Sequence, residues 1–81
     1  MYTTKVVDGT HINEKDEEIE CIEVIITIDR DEIIIAFDLQ YYKEIINIVN
    51  ANYSFDELFI QMNKFEILHA QWDNMKYDKY F

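Results

Sequence analysis

Between Cys21 and Asp38 the chain reads "CIEVIITIDRDEIIIAFD", two runs crowded with Ile and Val and parted by a few polar residues. The first run alternates. Ile22, Val24, Ile26 and Ile28 fall on one side of an extended chain, with Glu23, Ile25 and Thr27 on the other. The second resumes the same period, setting Ile33, Ile35 and Phe37 against Ile34 and Ala36. β-Branched residues spaced by two lose side-chain freedom in a helix and pack well on a pleated surface. The intervening "DRDE", Asp29 to Glu32, tolerates a turn, so the stretch predicts a β-hairpin over 18–37 with one buried face. Without Asn-Gly or Asp-Gly the type of that turn is open.

Upstream, Tyr2 to Val7 is a β-prone run that supplies a third strand, and Gly9, the only glycine, predicts a turn or a bulge at "DGT". Downstream the period changes from two to that of a helix. Asp38 suits a cap, Tyr42, Ile45, Ile46 and Val49 follow helical spacing, and "NAN", Asn50 to Asn52, ends the run. Ser54 with Glu57 reads as a capping box that opens a second helix, whose stripe is Phe55, Leu58, Phe59 and Met62. Beyond Asn63 two readings compete. One is continued helix, with Leu58, Phe65, Leu68, Trp72 and Met75 in a seam; the other is a short strand over Phe65 to Leu68 and a further helix. The helix is preferred because "HAQWDNMK" lacks β-branched residues. The expected fold is α+β: a three-stranded antiparallel sheet, the hairpin 18–37 plus the N-terminal strand, followed by two or three C-terminal helices packed on one face.

The 81 residues allow one domain, 1–81, near the size at which a single core is just sufficient. A net charge of -10 is carried by a chain that is 49% hydrophobic, which separates it from a disordered acidic tail. The charge is uneven. Residues 1–38 hold eleven acids against Lys5, Lys15 and Arg30, whereas 39–81 hold six against four lysines. Such a field repels nucleic acid and anionic membrane and draws in basic surfaces, so neither direct nucleic-acid binding nor membrane association is expected. Cys21 is the only cysteine, which excludes an internal disulfide and fits a reducing compartment. With no signal-peptide order at the start and no long apolar run, a protein that is cytoplasmic, or that acts in the cytoplasm of a host, is expected.

The motifs of common enzymes are missing. One glycine makes no phosphate-cradling loop, and His11 and His69 lack any paired metal-ligand spacing, His69 reading as a packed helix residue. Asp29, Asp31 and Glu32 lack the spacing of a calcium loop. No Ser or Cys carries a nucleophile signature; Cys21 reads as a small, unreactive hydrophobe. The expectation is a non-catalytic protein without cofactor or metal.

What remains is the acid. Glu14, Asp16, Glu18 and Glu20 occupy alternate positions, and on a strand they would share a face at ~6.6–6.8 Å, a plausible stand-in for a row of phosphates. The same register runs into Ile22 and Val24, so a regular strand would aim these carboxylates at the buried face. Either the acidic end projects past the sheet or a bulge near Glu20 and Cys21 flips the register. A solvated charged strand that guards an edge is the plainer reading. Acids at Asp56 and Glu57 complement a helix dipole, while Tyr41, Tyr53, Tyr77, Tyr80 and Phe81 are candidates for a partner or dimer contact beyond core packing.

In composition and architecture, and locally in "YSFDELFIQMNKFEIL", the chain resembles the phage-encoded inhibitors of bacterial defence nucleases, in particular small anti-CRISPR proteins that imitate DNA. The resemblance implies a non-catalytic inhibitor of a basic nucleic-acid-binding protein, a nuclease or CRISPR effector. Its expected contact residues are Glu14, Asp16, Glu17, Glu18, Glu20 and Glu23, with Asp29, Asp31 and Glu32 added from the hairpin turn. The competing reading is an interaction module, homodimer or toxin immunity protein, in which Trp72, Tyr77 and Phe81 or a free sheet edge carry binding.

Overall fold

A computed structural model describes residues 1–81. Four strands, β1 (Tyr2–Ile12), β2 (Glu18–Ile28), β3 (Asp31–Asp38) and β4 (Ile67–Trp72), form one antiparallel sheet in the order β1-β2-β3-β4. Between β3 and β4 lie a 3-10 turn at Leu39–Tyr41 and two helices, α1 (Tyr42–Asn50) and α2 (Phe55–Met62). The fold is α+β with an antiparallel sheet, as expected, but the sheet has four strands and not three.

The hairpin forms from its own pattern. Ile28 pairs with Asp31, leaving Asp29 and Arg30 as a two-residue loop, and φ is positive only at Asp29 (54°), the backbone signature of a type II′ turn. Ile22, Val24, Ile26, Ile33, Ile35 and Phe37 share one face and are fully buried beneath Ile45, Leu58, Phe59 and Met62 of the helices. Fully burying one such side chain is worth about 1.5–3 kcal/mol.

Asp38 caps as its type suggests, accepting from the Gln40 amide at 3.0 Å, although the first turn it caps is 3-10. The buried stripe of α1 is rotated from the predicted one: Tyr41, Ile45, Ile48 and Val49 pack on the core, and Tyr42 is exposed. The 3-10 entry shifts the angular phase of every residue after it. Ser54 Oγ accepts from the Glu57 amide at 3.3 Å, and Glu57 turns its carboxylate to Gln61 and not back to the cap, so half of the capping box is made.

Two preferred expectations fail. Gly9 is neither a turn nor a bulge; it pairs with Cys21 in the unbroken middle of β1. A Cβ there would sit 2.3 Å from Glu23 Oε1, so glycine makes room for a carboxylate that lies across the strand. Segment 63–81 is not continued helix; it follows the competing reading, with the strand displaced from Phe65–Leu68 to β4 and a 3-10 segment, Met75–Tyr80, after it. Ile67, Ala70 and Trp72 extend the core face beside β3, and the register skips Leu68 at a bulge opposite Ala36 and Phe37. Pairing satisfies the otherwise open backbone edge of β3, and that gain outweighs the weak strand propensity of "HAQ".

The C-terminal segment closes the core. Tyr77 is 3% exposed, and Tyr80 stacks on Phe59 at a centroid distance of 4.3 Å. Trp72 and Phe81 stack at 4.3 Å, and Trp72 Nε1 donates to Asp78 at 2.5 Å. Of these aromatics, candidates for a partner surface, Tyr77 is buried, Tyr80 and Trp72 are half-buried, and Phe81 is exposed.

Candidate functional site

The ladder between β2 and β3 ends at Cys21 and Asp38, but β1 and β2 go on pairing to Ile12 and Glu18. They leave the body of the sheet as a two-stranded arm. No bulge interrupts it, so Glu18 and Glu20 keep the parity of Ile22 yet stand past the helices, exposed. The projecting end thus resolves the conflict between acid and core register.

Glu14 and Asp16 do not extend the row. They lie with Lys15 and Glu17 in the turn between β1 and β2, where Asp16 has a φ of 58°. Asn13 organises this turn. Its Oδ1 accepts from the amides of Lys15 and Glu17, both at 2.9 Å, its Nδ2 donates to Glu17 Oε1 at 3.1 Å, and its backbone carbonyl accepts from the Asp16 amide at 3.1 Å. The acids at the tip are therefore displayed on a fixed backbone, grouped and not laddered, while Asp8, opposite Ile22, lies in the body of the sheet.

Asp29, Asp31 and Glu32 sit at the other end of β2, ten strand rises away, on the order of 33 Å. The protein's longest extent is 37 Å, so the acid that is continuous in sequence forms two poles. Asp29 and Glu32 are exposed, but Asp31 is engaged: Lys76 Nζ lies at 2.9 Å, and Tyr77 donates its hydroxyl proton to it at 2.7 Å. The Lys76 hydrogen bond, then that of Tyr77, holds the Asp31 carboxyl below the usual range. This is the only ion pair in the protein; every other acid stands without one.

Glu23 belongs to neither pole. It lies on the face of the sheet away from the helices, in a row with Val7, Ala36 and His69. That face is concave. Its floor includes Cys21 and Ala36, both essentially unexposed, and burial, then the charges of Glu23 and Asp38, push the Cys21 thiol up and away from reactivity.

The sheet's curl brings together two residues that sequence spacing had set apart. His11 on β1 and His69 on β4 belong to the two outer strands, which a flat sheet would hold roughly 14 Å apart. Their Nδ1 atoms are 2.8 Å apart. His69 is thus a strand residue with a specific partner and not a packed helix residue. The ring centroids lie 5.1 Å apart, close to the nitrogen separation plus two ring radii, so the rings meet head-on through nitrogen. That is hydrogen-bond geometry, with one ring donating and the other accepting. No three His, Cys, Asp or Glu side chains converge at metal-binding distance. Only the strand order exposes this pair; neither histidine has a flanking motif. No helix is long and apolar enough to cross a membrane. Comparison with protein-family models, curated proteins and solved structures found no match to this chain.

Proposed function

We propose that the protein is a non-catalytic acidic inhibitor that occupies the basic nucleic-acid-binding groove of a nuclease or defence complex by imitating DNA, in the manner of anti-CRISPR proteins. The observation that carries this reading is the arm: exposed carboxylates at Glu14, Asp16, Glu17, Glu18 and Glu20, free of ion pairs and held on a turn that Asn13 fixes. Unpaired like charges cost stability, and the core does not need them. A pre-ordered set of anions loses little freedom on meeting lysines and arginines. The second pole, Asp29 and Glu32, lies about one turn of duplex away, since a turn rises ~34 Å, so both poles can meet a groove that tracks a duplex. Inhibition is then occlusion: the acids speed encounter and compete with phosphates, and the body of the domain blocks the groove.

For the alternative interaction-module reading Tyr77 is committed to the core, while the stacked pair of Trp72 and Phe81 stays at the surface, with Phe81 42% exposed. The free edge of β1 is its second element.

The test is capture from host lysate by the wild-type chain and by a variant carrying Glu14→Gln, Asp16→Asn, Glu17→Gln, Glu18→Gln and Glu20→Gln, with duplex DNA as competitor and washes at two salt concentrations. The expected result is a nucleic-acid-binding enzyme held by wild type alone and released by DNA or salt. Equal capture by both chains would sink the mimicry reading.

A further inference from the structure

The head-on contact of His11 and His69 closes the concave face: it ties the base of the acidic turn to the far edge strand. The arm has left β3 by that point, so no ladder bond holds it there. We infer that the two imidazoles form a proton-operated latch, closed while the pair has an acceptor nitrogen and opened when both rings are protonated, so that acidification releases the arm from β4.

The chemistry needs only proton counting. With both rings neutral, one Nδ1 carries hydrogen and the other offers a lone pair. A first added proton gives imidazolium and imidazole, which still share an N–H···N bond, now charge-assisted. A second proton leaves two N–H donors and two positive charges face to face at 2.8 Å, with no acceptor between them. The open arm accepts both protons without that conflict. The open state therefore binds more protons than the closed one, and by linkage a falling pH favours it.

The surroundings act on the same equilibrium. From the turn between β1 and β2 the charged groups near His11 are Glu14, Lys15 and Glu17; Glu66, just before β4, lines the same hollow. On the concave face β2 contributes Glu23 and the neutral thiol of Cys21, β3 contributes Asp38, and β1 contributes Lys5 farther along. Carboxylates outnumber lysines in this set. Opening driven by the rings must therefore be told apart from loss of charge on these carboxylates, of which Glu14, Glu17 and Glu66 share the same hollow.

The test uses the intact chain alone, by NMR between pH ~8 and ~5, the interval that brackets imidazole titration. At the upper end, contacts are expected from the His11 and Ile19 side chains to His69 and Leu68; on acidification these should fall at least roughly tenfold while the ring signals of Phe59 and Tyr77 keep their folded positions. His11→Gln and His69→Gln serve as the controls. A glutamine amide can hydrogen-bond the remaining imidazole in either protonation state, so each variant should keep the arm closed throughout. Contacts that persist in wild type at pH ~5, that are absent at pH ~8, or that vanish only with the core signals, overturn the latch. So does opening of the glutamine variants in parallel with wild type, which would assign the motion to the carboxylates.

Discussion

Tyr80 gathers more of this molecule than its place near the end of the sequence suggests. Its hydroxyl donates to Asp56, its ring stacks on Phe59, and Phe55 meets it edge-on at 5.5 Å. The hydrogen bond to Asp56, then burial, pushes its hydroxyl up to about 12. Neutral tyrosine is the form that can donate, so its contribution to stability is fully present below the unfolded value near 10 and is lost as pH rises through about 12. Absorbance titration should find one tyrosine ionising at the top of the series, and Tyr80→Phe should remove that step. At the same scale, Gly9 and Asn13 show how single residues shape the acidic end. One leaves space for the Glu23 carboxylate, and the other supplies the acceptor that two turn amides need.

Helix α2 is held by one face only, and its adjacent residues Phe59 and Ile60 make the contrast. Phe59 is 2% exposed and meets three further aromatic rings, whereas Ile60 points to solvent at 57%. Truncation of Phe59 to alanine should cost about 3–5 kcal/mol. The same change at Ile60 should stay within about 0.5 kcal/mol; denaturant midpoints of the two variants check both. Elements whose signal is periodic were legible in the sequence: the hairpin from its alternation, α2 from Ser54 and its stripe. Strand β4 was legible only as the less favoured of two readings, because Leu68, His69, Ala70 and Gln71 carry little strand preference, and what makes them a strand is the open edge of β3. The acids were legible as residues but not as a site. The extended strand β2 runs its full length between Glu18 and Asp29, so acids close in sequence became opposite poles, while two distant histidines became neighbours.

At the scale of the whole molecule, a charge of -10 with a single ion pair means that repulsion opposes compactness everywhere except at Asp31 and Lys76. Raising NaCl from about 0.02 to 0.3 M shortens the screening length from roughly 20 Å to under 10 Å, so the melting temperature should rise with salt. A fall on salt addition would mean that the one ion pair outweighs the summed repulsion. Chain order across the sheet has a kinetic meaning as well. Strands β1, β2 and β3 are joined by short turns, but β4 reaches β3 only after residues 39–66 have folded back across the sheet. Closing that long loop is the slow, entropy-costly event. Until it happens, β3 exposes a bare edge of Ile33 to Phe37, flanked by Asp31, Glu32 and Asp38. The acidic flanks thus act as gatekeepers, keeping the half-formed sheet of one molecule from templating on another while it waits for its own last strand.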